Sequence, residues 1–176
     1  MDNFISGIFY REIERQCKFA LIASEDIQKS LMSNFNDKDR LWYSLQTFLI
    51  AVGNISKILW PPNKKYTNRG QDLLQKIGID DNSFIKTRDF RNYFEHFDER
   101  LEDWARQSKS RNFVDSNIGS ITNAITGIDP KDFIRNFDPN TFELTFRGDL
   151  YQLNPVINEI KEIMKAMAMS RPTVKT

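Results

Sequence analysis

Glycine is scarce, with 7 in 176 residues. A fold built from many tight β-turns uses more, so the chain points toward helices. Cysteine occurs once, at Cys17, which excludes an intramolecular disulfide and removes any pointer to an oxidising compartment. Charge of one sign is also lacking: 25 Lys and Arg stand against 24 Asp and Glu, a formal net charge of +1. A general nucleic-acid binder normally carries a clear basic excess, so contact with nucleic acid has to come from a local patch. No uncharged apolar run approaches the ~18 residues of a membrane span. The opening MDNFISGIFYREIERQ lacks a basic flank followed by a long apolar run, so no signal peptide is expected, and the expectation is a cytoplasmic protein without membrane contact.

Apolar material is plentiful. Hydrophobic residues make up 40% and aromatics 12%, with 14 phenylalanines, which excludes a disordered chain. The length suits one domain, and a chain near ~150 residues hides about two thirds of its unfolded surface. Phe4, Ile5, Ile8, Ile13, Cys17, Ala20, Ala23, Ile27 and Leu31 recur at threes and fours, predicting a helix over 4–33 that ends at Ser33-Asn34. Asn36-Asp37 offers a cap for a second helix to Trp60, whose stripe includes Leu41, Leu45, Phe48, Leu49, Val52, Ile55, Ile58 and Leu59. Pro61-Pro62 stops it. A short helix over 71–77 follows, with Gly78 as its C-terminal stop. Asp80, Asp81, Asn82 and Ser83 read as the cap of a further helix to about Ser108, not as a cation site.

Residues 110–130 are rich in Ser, Asn, Thr and Gly, with isolated isoleucines at 118, 121, 125 and 128, and read as a loop with a short strand or helix. Next, FIRNFDPNTFELTFRG predicts a hairpin: Asp138-Pro139-Asn140 is the turn, and Phe142, Leu144 and Phe146 alternate with Glu143, Thr145 and Arg147. A last helix begins at about Leu150 or Pro155 and runs to Met169, with Leu153, Ile157, Ile160, Met164 and Met167 on one face. The fold class is therefore mainly α: a bundle of four to five helices with a small β-hairpin, about 132–148, inserted before the C-terminal helix. One domain over 1–170 and a frayed tail over 171–176 complete the expectation.

The only histidine, His96, lies in RDFRNYFEHFDERLEDW, residues 88–104. On a straight helix Phe90, Phe94, Phe97, Leu101, Trp104 and Ala105 form the buried stripe, with Tyr93 beside them. His96 lies about 120° from its centre, and Arg88, Asn92 and His96 form a polar line. Much of the charge needs no special account. Residues 86–111 hold seven Lys and Arg against six Asp and Glu, and pairs four apart such as Arg91/Glu95 and His96/Arg100 suit a solvated helix face. Likewise Trp60 and the tyrosines are expected to close bundle ends, and Met164, Met167 and Met169 to pack in a core or dimer face, before either set frames a ligand surface.

Packing leaves the order Arg91-Asn92-Tyr93-Phe94-Glu95-His96 unexplained. It reads R-N-x-x-x-H and resembles the Arg–(four to six residues)–His motif of the HEPN domain superfamily, in which a polar residue, often Asn, follows the Arg. Requiring that Asn lowers chance occurrence to about one in a hundred. The resemblance covers the bundle, residues 1–108 and the last helix; the hairpin lies outside the minimal pattern. It implies an all-helical fold and a metal-independent ribonuclease of prokaryotic defence or toxin–antitoxin type. It implies Arg91, Asn92 and His96 as catalytic residues, with Arg88 and Arg100 as substrate-binding neighbours. The expected partners are a second copy of the chain, RNA, and an antitoxin or other protein. The members silenced by nucleotidyltransferases carry a tyrosine two residues after the histidine; Asp98 stands there, which speaks against that regulation.

RNA cleavage without a metal needs a base for the 2′-OH, an acid for the leaving 5′-oxygen and donors for the charge of the phosphorane. Free imidazole, with a pKa of about 6.5, suits the first two, and guanidinium suits the last. One histidine supplies half of this. On a straight helix Arg91 and His96 diverge by about 140°, so the expectation is a composite site across a two-fold axis. No metal or cofactor is expected: Cys17 and His96 lack ligand spacing, and neither a G-x-x-x-x-G-K loop nor a nucleophile elbow occurs. The alternative is a non-catalytic HEPN-like module that binds a nucleotide or a protein, favoured by the acids beside His96.

Overall fold

The computed structural model describes residues 2–32, 37–80, 82–87, 92–93, 95–121 and 127–169. The chain divides into two compact units, residues 1–88 with 155–176, and residues 89–154.

The first unit is helical. Helix α1 spans Asn3–Met32 and α2 spans Lys38–Leu59. Asp37 caps α2, its side chain accepting from the Arg40 N–H at 2.9 Å. Ile13, Cys17, Ala20 and Ile27 of α1 and Leu45, Phe48 and Ile55 of α2 are fully buried. Each large aliphatic or aromatic side chain among them contributes about 1.5–3 kcal/mol. Phe4, Ile5 and Ile8, expected in the stripe, are exposed instead. Helix α3, Thr67–Ile77, starts four residues earlier than its apolar pattern indicates and ends at Gly78, whose φ of 77° is the left-handed cap. Helix α5, Leu153–Met169, buries Val156, Ile160, Ile163 and Met167, and the Met167 carbonyl accepts from the Tyr10 hydroxyl of α1 at 3.0 Å.

Gly70 permits a close backbone approach in this unit. A Cβ there would stand 2.3 Å from the Leu59 carbonyl oxygen and 2.9 Å from Pro61 Cδ. Gly70→Ala, a helix-favouring change on an exposed surface, is here expected to destabilise by about 1–3 kcal/mol through overpacking, read as a lower urea midpoint. Cys17 is equally constrained. Burial, aided by the Glu14 charge, pushes its thiol up to about 12. The folded protein should therefore resist iodoacetamide at pH 8 and react promptly once unfolded in urea, as mass spectrometry will record.

The helix expected over 83–108 is not continuous. Ser83 caps a single 3-10 turn, Phe84–Lys86, accepting from the Ile85 N–H at 3.1 Å. The Phe84 N–H donates to Glu159 Oε2 at 2.8 Å and the Lys86 carbonyl accepts from the Ser56 hydroxyl at 3.3 Å. The Lys86 carbonyl, which a continuous helix would have bonded locally, is satisfied by this tertiary bond instead. Thr87 is extended.

The second unit holds helix α4, Phe97–Gln107, and a sheet of order β1-β2-β3-β4. The strands are Asn117–Ile118, Arg135–Asp138, Glu143–Phe146 and Asp149–Gln152. The expected hairpin is β2–β3, with Phe137 opposite Leu144. Two strands extend it. Strand β1, from the stretch 110–130, pairs parallel to β2. Strand β4 follows a two-residue turn in which Arg147 and Gly148 have φ of 49° and 90°, so Leu150 is in a strand and not at a helix start. Phe137, Leu144 and Tyr151 are buried on one face, while Asn136 and Thr145 are buried on the other, so the middle of the sheet is covered on both faces. No described helix is long and apolar enough to cross a membrane.

Candidate functional site

Asn92, Tyr93 and Glu95 are helical, but His96 is not. Its φ of −111° and ψ of 36° make it the N-terminal flank of α4, not a mid-helix residue. The ladder continues through the break: the His96 N–H donates to the Asn92 carbonyl at 3.0 Å and the Arg100 N–H to the His96 carbonyl at 3.1 Å. Arg91 and Arg88, together with Phe90 and Phe94 of the expected stripe and Asp81 of the expected cap, lie outside the described residues. So do Asn36, the Ser33-Asn34 helix end, Ile125 and the 171–176 tail.

The His96 side chain is 55% exposed, and its Nδ1 lies 3.4 Å from Glu99 Oε1, one turn along α4. Nε2 has no partner among the described residues. Asn92 is half-buried and joined to His96 through the backbone bond already given. Arg100 is exposed and its guanidinium sits over the Tyr93 ring at 4.9 Å. Tyr93 is itself fixed: its ring stacks on Phe146 at 4.9 Å with an interplanar angle of 7°, and its hydroxyl donates to Asp149 Oδ2. Phe97 meets Phe146 edge-on at 6.2 Å and carries Arg135 over its ring at 4.8 Å. The start of α4 is thus anchored to the sheet by aromatic packing. That leaves His96, Glu99 and Arg100 facing water, with Glu95 and Asp98 exposed beside them. Ala105, assigned to the stripe by periodicity, is exposed, because the buried edge of α4 narrows to Trp104.

No family model, no curated protein and no solved structure matches this chain.

A second polar cluster in the same unit escaped the sequence reading. Asp132 is 4% exposed and accepts from Trp104 Nε1 at 2.9 Å, from Ser108 Oγ at 2.8 Å and from Ser110 Oγ. Burial alone pushes this carboxyl up. Together the three hydrogen bonds and the Arg147 charge outweigh it and hold the carboxyl below the usual carboxylate range. Asp132 lines an open cleft of about 410 Å³ together with Lys109, Lys131 and Arg147. Arg147 is committed to the Arg100 carbonyl at 3.3 Å and Gln107 Oε1 at 3.2 Å. Both Asp132 oxygens are engaged by protein donors, which makes this carboxylate a staple between the end of α4 and the Pro130–Asp132 turn. No local pattern marks it: one aspartate after a proline looks like a turn residue. The described residues contain no group of three or more His, Cys, Asp and Glu placed to hold a metal ion.

Proposed function

We propose that this chain is a metal-independent endoribonuclease of the HEPN type, of defence or toxin character. In this reading it works as a homodimer that joins two copies of His96, Arg91 and Asn92 in one composite site. The observation that supports this most directly is the His96–Glu99 pair. An exposed imidazole with one nitrogen set against a carboxylate and the other without a described partner is the arrangement that acid–base chemistry on an RNA 2′-hydroxyl calls for. Arg100, held over Tyr93, offers a fixed cation for a neighbouring phosphate. In a dimer, one His96 takes the 2′-OH proton, the second protonates the leaving 5′-oxygen, and Arg91 carries the phosphorane charge, leaving a 2′,3′-cyclic phosphate.

A second reading is a HEPN-like module that binds a nucleotide or a protein without cleaving RNA. Exposed Glu95, Asp98 and Glu99 around His96 favour it, since three carboxylates repel a phosphate backbone. The deciding experiment is digestion of single-stranded RNA in EDTA by wild type, His96→Ala and Arg91→Ala. Cleavage by the wild type alone, with a cyclic phosphate at the new 3′ end, supports the enzyme. Equal cleavage by all three, or none by the wild type, removes it.

A further inference from the structure

An apolar groove runs between α1 and α2 on the water-facing side of the first unit. Phe19 and Ile22 of α1 form one wall, and Tyr43 and Thr47 of α2 the other, around a cleft of about 130 Å³. Phe19 is 47%, Ile22 57% and Tyr43 70% exposed, and Ile50 one turn beyond Thr47 is 46% exposed. These residues are turned away from the α1–α2 core, which has its own separate set of fully buried side chains.

The charges at the ends of this patch have a symmetry of their own. Arg15 lies four residues before Phe19, and Asp26 lies four residues after Ile22. Eleven residues separate the two, which is about three turns and places them within about 20° of each other on one helix face. The midpoint between them falls between Phe19 and Ile22. A two-fold axis through that midpoint lays a second α1 antiparallel on the first, so that Phe19 of each copy meets Ile22 of the other. Each Arg15 then stands opposite the partner's Asp26. Such self-complementarity is what an isologous interface requires.

The present partners of these charges do not prevent this. Arg15 meets Glu12 at 3.2 Å, and Asp26 meets Lys29 at 3.6 Å and Arg40 at 3.7 Å. The Arg15–Glu12 pair is exposed and exchanges at little cost, and Asp26, 28% exposed, keeps one oxygen edge toward the groove it lines. The exposed parts of Phe19, Ile22 and Tyr43 come to roughly 400 Å². That is half of the ~800 Å² per partner of a standard interface, and Ile50, Thr47 and the turns from Arg15 to Asp26 extend it toward the remainder.

We propose that the groove formed by Phe19, Ile22, Tyr43 and Thr47 is the contact between two copies of this chain, with Arg15 of each paired to Asp26 of the other. The inference concerns the first unit alone and does not rest on the ribonuclease reading. Sedimentation velocity between 1 and 100 µM tests it, on wild type, Ile22→Glu, Arg15→Glu, Asp26→Lys and the Arg15→Glu/Asp26→Lys double variant. The expected result is a wild-type dimer, a dissociation constant raised about 100-fold or more in Ile22→Glu, about 10-fold in each charge variant, and largely restored in the double variant. Restoration in the double variant excludes misfolding as the cause of the single losses, and circular dichroism checks Ile22→Glu directly. A monomeric wild type at 100 µM overturns the proposal. So does a dimer unchanged by Ile22→Glu, or a double variant no better than the singles. In the last two cases a dimer exists through another face, and the His96 reading still stands or falls by its own RNA assay.

Discussion

His96→Ala is expected to lower RNA cleavage by a factor of about 10²–10⁴, the usual contribution of a positioned acid–base group, while leaving the fold untouched. Both halves follow from where the residue sits. The side chain is more than half exposed, and the one described side-chain contact it makes is with Glu99, itself on the surface. The backbone at His96 is already outside the helix and its side chain makes no capping bond, so alanine removes no cap. A stability change within about 0.5 kcal/mol is the expectation for such a site. Rate and stability therefore separate, which a merely structural histidine would not allow. Glu99→Gln sharpens the test: it removes the charge that stands beside the ring, so it should cost about 10-fold or less. Single-turnover cleavage in EDTA, with urea midpoints alongside, measures both. Unchanged cleavage in His96→Ala ends the enzymatic reading; lost cleavage with a midpoint falling in step would assign the residue to stability.

The helices were legible because their ends are written in local chemistry. Asp37 caps α2, Pro61-Pro62 follows its last turn, and Gly78 closes α3 in the left-handed conformation. The β2–β3 hairpin was legible for the same reason, through Asp138-Pro139-Asn140. Strand β1 was not: two residues pair parallel with partners nineteen positions later, and a parallel pairing leaves no turn between the partners. Strand β4 hid behind Arg147, a bulky residue with positive φ where Asn or Asp would have marked the turn. The cap signal at 80–83 predicted one helix to about Ser108, yet Glu159 and Ser56, both far off in sequence, bind the backbone of Phe84 and Lys86 and close it as a single turn. At the site, His96 was found because it is solitary and stands five residues after Arg91, the first of an Arg-Asn pair. Glu99 as its neighbour follows from ordinary three-residue spacing along the helix, whereas Tyr93 as the platform under Arg100 is a product of stacking on Phe146 and has no sequence signature.

The largest stability effect belongs to Asp132. Asp132→Ala is expected to destabilise by about 2–4 kcal/mol, because it strands the indole N–H of Trp104, a residue 9% exposed, and removes the common acceptor of two serine hydroxyls. The hydroxyls can rotate toward water and soften their share; the indole N–H is fixed by its ring, which packs edge-on against Phe113 at 5.0 Å. Asp132→Asn keeps the oxygen that serves Trp104 and Ser108 but sets an amide where the carboxylate accepts from Ser110, and it loses the attraction of Arg147. It should cost about 1–2 kcal/mol, between wild type and alanine. The same residue makes an acid-sensitive joint. Its folded carboxyl is held below the value of about 3.9 of an unfolded aspartate, so its contribution is complete above that value and is lost as the pH falls through the lower folded one. Urea unfolding at pH 7 and pH 3, followed through amide exchange across 104–134, separates these contributions. The wild type should lose protection there at pH 3, and Asp132→Asn, having no proton to take up, should lose less. If the two respond alike to acid, the staple is not what holds the end of α4 to the Pro130–Asp132 turn.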